Sequence, residues 1–267
     1  SLWLGAQNGG GGAATNTGLM LADSGGVMDI FGTLKNVAAI DPGVLGLEAT
    51  HGGTITLHGA VYNSASIVSD AGGRITALGA VINSGVVDSD GQGSTVDLSG
   101  TVRNTGTMSA HDGGHLDVTG SINGGGTLLA DDAFMFVQRL TGGGSAVISG
   151  TGTIEFGAKS DAHVAFSGGT GGSLVLDHAA VFTGDVSGFA AGDSLDFANI
   201  RGVASGSRAT QVSYADNGTG TGGTLTVTDF LGHAASLTMI GHYDESDFVL
   251  GSDTSGHLLV QHSTLVV

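Results

Sequence analysis

The stretch of this chain best suited to a cation is DSDGQGS, starting at Asp88. Asp88 and Asp90 alternate ahead of a glycine, as ligands do at the opening of an oxygen-rich calcium loop. A third acid and the closing bidentate glutamate are missing, so a plain polar turn is expected, with calcium the remaining option. In HDGGH, His111 and His115 have the i, i+4 spacing that suits zinc on a helix. Here the pair and Asp112 span a Gly-Gly turn, so they are expected as loop residues. Glycan hydrolysis needs two carboxyls roughly 5–9.5 Å apart. Asp131 and Asp132 are adjacent, and neighbours in a strand point to opposite faces, so only a turn would bring them together. Elimination from an acidic polysaccharide needs a basic residue beside cations that neutralise the substrate. The basic residues are Lys35, Arg74, Arg103, Arg139, Lys159, Arg201 and Arg208. Lys35 and Arg103 share a repeat position but are separated there by Tyr62 and Ile82. No nucleophile elbow is visible. The expectation is therefore no catalytic, cofactor-binding or metal residue, and no enzymatic activity.

Composition narrows the classes further. Glycine supplies 51 of 267 residues and there is one proline, Pro42, yet 40% of the chain is apolar. Disorder goes with low hydrophobicity, so the glycines read as turn punctuation between short strands. The net charge of −17 opposes nucleic-acid binding, which needs a basic footprint, and docking on anionic membranes. No apolar run approaches the roughly 18 residues of a membrane span, so no membrane insertion is expected. Cysteine is absent, which removes disulfides and thiolate metal sites and fits a chain that stays unfolded until export. The leading Ser without a signal peptide suggests a processed or excised chain.

What would position any of these residues is a repeat. Segments beginning at Gly25, Gly52, Gly72, Gly93 and Gly113 align as GGVMDIFGTLKNVAAI, GGTITLHGAVYNSASI, GGRITALGAVINSGVV, GSTVDLSGTVRNTGTM and GGHLDVTGSINGGGTL. The unit is about 20 residues, the first lengthened by seven around Pro42, and such a period signals a solenoid. Position four is apolar throughout (Met28, Ile55, Ile75, Val96, Leu116), as are positions six and ten. Position sixteen reads Ile40, Ile67, Val87, Met108, Leu128, and position eight is always glycine. Apolar alternation with a period of two is strand chemistry. Glycine between two such runs marks a corner that needs positive φ or a close backbone approach. Position twelve holds Asn36, Asn63, Asn83 and Asn104. Extending the register backward adds Asn16, with Met20 over Ile40. Asparagine tolerates left-handed backbone, and its amide can bond to its copy one coil away.

These features predict an all-β, right-handed parallel β-helix of about ten coils, a rod near 50 Å long by strand spacing. Residues 1–132 form the regular repeat. Residues 133–200 continue it around an aromatic core, because nine of the ten Phe lie beyond Ala133. Residues 201–267 form irregular final coils or a β-rich cap.

The glycine-punctuated, asparagine-bearing coils resemble autotransporter-type and haemagglutinin-like passenger solenoids. From Gly152 onward, above all in VFTGDVSGFAAGDSLDF, the chain is similar to carboxy-terminal modules of large secreted or surface-attached repeat proteins of proteobacteria, including type I secretion substrates. The resemblance implies export and a place at the cell surface or in a biofilm matrix, with no defined activity. The calcium-binding nonapeptide of RTX proteins carries an aspartate that GGTGGSLVL and GTGGTLTVT lack, so no RTX calcium roll is expected. The function read here is a structural or adhesive element. Its partners would be surface glycans or further copies of itself, through head-to-tail pairing of strand edges at SLWLGAQ and HLLVQHSTLVV. A self-assembling filament subunit and a β-helix lyase or hydrolase acting on acidic glycans are the alternatives.

Overall fold

The computed structural model describes the backbone of residues 2–4 and, in full, residues 12–37, 46–169, 171–202 and 210–263. The protein is all-β, with 58% strand and 3% helix, and winds as a solenoid of about nine turns of stacked parallel strands, against the ten expected. It divides into two compact units, Ser1–Val137 and Gln138–Val267.

In the first unit each turn of the solenoid stacks position on position. Met28, Ile55, Ile75, Val96 and Leu116 face one another rung by rung. So do Leu34, Val61, Val81, Val102 and Ile122. All are buried, at 4% exposure or less, so the alternating apolar positions form continuous aliphatic columns inside. Each column removes side-chain area from water at roughly 25 cal/mol per Å², while the backbone donors and acceptors of one turn are met by the next.

The long first repeat rejoins the register differently from the alignment. Ile40 and Pro42 lie outside the described residues. The rung between Met20 and Ile67 is filled by Leu47. The extra residues therefore enter before position sixteen, and the apolar residue that closes the turn is the one following the insert.

Asparagine builds a second column, and this one is polar. The Asn16 amide donates to Asn36 Oδ1 at 2.9 Å, Asn36 to Asn63 at 2.8 Å, Asn63 to Asn83 at 2.8 Å and Asn83 to Asn104 at 2.9 Å. The second hydrogen of each amide meets a main-chain carbonyl: Gly46, Ser66, Val86 and Thr107 in turn. These side chains are buried, and an unpaired buried amide would cost about 1–3 kcal/mol. The asparagine run stops at Asn104, whose amide donates to the Thr127 carbonyl, 3.4 Å away. The next residue of the column is Gly124, where an added Cβ would lie 2.2 Å from the Asn104 carbonyl.

The glycine of position eight is required by proximity. A Cβ on Gly79 would stand 2.2 Å from the Gly59 carbonyl oxygen, and one on Gly100 would stand 2.2 Å from that of Gly79. The corner backbones of successive turns touch, and a methyl group does not fit between them. The Gly-Gly turn has another cause: His51 and Gly52 sit at φ 47° and 75°, two left-handed residues in succession that reverse the chain tightly.

In the second unit, Ile154, Leu174 and Leu195 form one interior column and Phe156, Leu176 and Phe197 its neighbour. Phe156 packs on Phe182, and Phe166 on Phe189, with ring centroids 6.1 and 5.6 Å apart. The parallel run then changes direction. On one face Ala234–Ile240 pairs antiparallel with Gly222–Thr228, which pairs antiparallel with Gln211–Asp216. On the other, His257–His262 lies antiparallel between Ser194–Arg201 and Phe248–Ser252. HLLVQH is thus paired on both edges, not free to donate a strand as the sequence suggested, and residues 264–267 lie outside the described residues.

Gly79→Ala is expected to destabilise the first unit by more than about 2 kcal/mol, because main chain must move to admit the methyl group. Gly18→Ala, where a Cβ meets nothing within 4 Å, should stay within about 0.5 kcal/mol of the parent. Urea denaturation followed by circular dichroism measures both. Equal midpoints would contradict the corner packing.

Candidate functional site

The residues singled out by spacing form no single cluster, though Asp88 and Asp131 both approach His111. Asp88 and Asp90 lie on the outward face of Val86–Asp90. The Asp88 carboxylate accepts the Ser109 hydroxyl at 2.6 Å and stands 3.7 Å from His111 Nε2. Burial pushes its pKa up, against the lowering effects of Ser109 and His111, and the neighbouring Asp90 charge adds to the rise. His111 and His115 part company at their turn. His111 lies between Asp88 and Asp131, 3.7 and 3.8 Å away. His115 belongs to the other sheet, where it pairs with Asp117 at 3.0 Å and stacks on Phe134. Asp131 ends a strand, while Asp132 takes the left-handed turn position at φ 48°.

Lys35, Tyr62, Ile82 and Arg103 form successive rungs of one outward column. They line shallow depressions beside Val37, Ser84 and Asn123. Tyr62 is 47% exposed there. Arg74 pairs with Asp97, and Arg208 lies outside the described residues.

The group that does converge was not singled out in the sequence. Among the described residues, Asp196, Asp253 and His257 bring one ligand atom each to within 4.8 Å of one another. Asp196 stands on the outward face of Ser194–Arg201, and the other two flank the turn between Phe248–Ser252 and His257–His262. That turn is a clip. Asp253 Oδ1 accepts the amides of Ser255 and His257 at 2.9 and 2.6 Å. Asp253 Oδ2 faces His257 Nδ1 at 3.1 Å. Gly256, at φ 82°, supplies the left-handed residue before the histidine.

The same clip occurs once more, at Asp229 and His233. Asp229 Oδ1 accepts the amides of Leu231 and His233 at 2.8 and 2.9 Å, and His233 Nδ1 meets Oδ2 at 2.8 Å. Both read Asp-x-x-Gly-His. Their surroundings differ. Burial would raise Asp229, but His233 and the amides of His233, Arg201 and Leu231 together hold it below the usual carboxylate range. Asp253 instead meets a second carboxylate, that of Asp196. Asp196 Oδ1 is closed off from solvent and accepts no hydrogen bond among the described residues. Burial first, and then the charges of Asp253 and Asp177, against His257, push Asp196 up to about 6.

An acid whose folded-state value of about 6 exceeds the unfolded 3.8 binds its proton more tightly in the folded chain. Its contribution to stability is greatest below pH 3.8 and is lost as pH rises through 6. In chelator-containing buffer, Asp196→Asn should therefore stabilise the chain at pH 7.5, by on the order of 1 kcal/mol once solvent screening is allowed for. At pH 4 the two proteins should melt alike. A gain of the same size at both values would locate the effect elsewhere.

No protein-family model matches the chain and no curated protein matches it, so the chemistry open to this site rests on its own geometry.

Proposed function

We propose that the chain is a structural or adhesive β-solenoid of an exported protein, presenting surface residues in fixed register outside the cell. The observation that supports this reading most directly is the in-register stacking of the first unit, from the aliphatic columns to the asparagine run. Side chains on its outward faces are held at one strand spacing, about 4.8 Å, over successive turns. The column of Lys35, Tyr62, Ile82 and Arg103 is such a display, with an exposed aromatic ring between two cations. That chemistry suits a glycan carrying acidic groups, the ring stacking on a sugar face and the cations meeting carboxylates. The resemblance to surface passenger solenoids points the same way.

Beads coated with the folded chain should be retained on acidic-glycan surfaces, and Tyr62→Ala with Arg103→Ala should reduce retention several-fold. Retention equal to that of beads carrying the heat-unfolded chain would count against adhesion. Release of unsaturated or reducing ends from alginate or pectin, abolished by one Asp→Ala change, would move the protein to the enzyme class.

A second reading, self-assembly, is favoured by the strands at the start of the first unit. Leu2–Leu4, Ala13–Asn16 and Met20–Ala22 each pair along one edge only among the described residues. Unpaired edges template addition of further strands, and head-to-tail addition propagates unless rotation closes it. The Asn16 carbonyl accepts the Val37 amide, so by the alternation of parallel strands the Thr15 amide faces the edge opposite Thr33–Asn36, where no described strand pairs. Thr15→Pro removes that donor without touching the paired side. Light scattering should show concentration-dependent assembly in the parent and a monomer in the variant. A parent that stays monomeric at high concentration excludes assembly through this edge.

A further inference from the structure

We propose that Asp196, Asp253 and His257 form a binding site for a divalent first-row transition metal ion, with zinc the best-suited member. Carboxylate oxygen and imidazole nitrogen are both donors that zinc accepts, and its sites with an open position keep three protein ligands. Calcium prefers six to eight oxygens.

Three geometric facts carry the assignment. Asp253 is oriented beforehand: two backbone amides hold Oδ1, leaving Oδ2 beside His257 Nδ1 at 3.1 Å. Donors bound to a tetrahedral ion at about 2.0–2.1 Å stand about 3.3 Å apart, so this edge of the site is already near its bound length. Asp196 supplies the third donor from a strand whose backbone is fixed by pairing on both sides. The third fact is the unsatisfied Asp196 Oδ1, shut off from water and facing no donor among the described residues. Two carboxylates brought together in this way call for a cation, and among the described residues only His257 answers them.

The duplicate clip provides the internal control. Asp229 and His233 repeat the Asp-x-x-Gly-His geometry, but there the Arg201 amide approaches the carboxylate at 3.3 Å. The clip alone is thus a hairpin device, and Asp196 turns one of the two into a metal site. An ion bound to His257 Nδ1 takes the place of the His257–Asp253 contact, and the neutral imidazole then carries its N–H on Nε2. The ion also ties the strand Ser194–Arg201 to the terminal hairpin.

The test is calorimetric titration of the full chain, stripped with chelator and dialysed, with zinc chloride at pH 7.5. One ion per chain is expected. Asp196→Asn and His257→Gln should each weaken binding at least tenfold, and His233→Gln should leave it unchanged. Absence of saturable binding overturns the site. So does binding that survives Asp196→Asn, which would place the ion at the acidic turns. The unmodified chain gives an independent reading, whatever the folding of the variants. Zinc must shift the imidazole NMR signals of His257 more than those of His233, and an equal shift, or none, overturns the assignment.

Discussion

Parallel stacking at a single strand spacing governs this protein, because it sets every residue of a turn against its own counterpart in the next. A column must then tolerate repetition. Aliphatic residues do so by packing, and asparagine does so because an amide is donor and acceptor at once. Glycine does so where two corners touch. Charge does so less readily, since like charges at about 4.8 Å repel. The outward column through Asp29, Thr56, Thr76, Asp97 and Asp117 shows how the sequence copes. Two threonines separate Asp29 from Asp97, only Asp97 and Asp117 stand on adjacent rungs, and each acid has a nitrogen partner: His58 for Asp29, Arg74 for Asp97, His115 for Asp117.

This accounts for the use of histidine in so acidic a chain. His51, His58, His111, His115, His163, His233 and His257 all stand within 4.0 Å of an aspartate. In HDGGH, read as a pattern, the two histidines invite a shared metal. In the fold the turn sends them to different sheets, each to its own carboxylates. The i, i+4 spacing, which on this turn was not expected to make a metal site, gives each imidazole a carboxylate neighbour instead.

What was legible follows the same division. The aliphatic columns, the corner glycines and the asparagine run were readable because periodicity alone fixes which residues meet. Leu47 was misread as Ile40 because an alignment without gaps cannot say where an insert enters. Asp196 was invisible as a partner of Asp253 and His257 because no period links them. They meet only where strand direction reverses, and an antiparallel partner is chosen by hairpin geometry instead of by repeat. The duplicated Asp-x-x-Gly-His was the available signal, since two copies with the same spacing mark the same turn.

Reversal of direction is also what ends the parallel run of the second unit. A parallel strand leaves an edge that accepts another identical turn, whereas an antiparallel neighbour presents closely and widely spaced bonds in alternation. Within Ser194–Arg201 the register shifts between Phe197 and Arg201, and His257–His262 pairs with that strand in the opposite sense. The clips at Asp229 and Asp253 fix the two hairpins that make the change, each holding backbone amides of its turn on one carboxylate oxygen. The carboxylates that stop the repeat are therefore the ones freed from its symmetry. There Asp196 meets Asp253 and His257 across antiparallel strands, in a group of ligand atoms that no repeat position dictates.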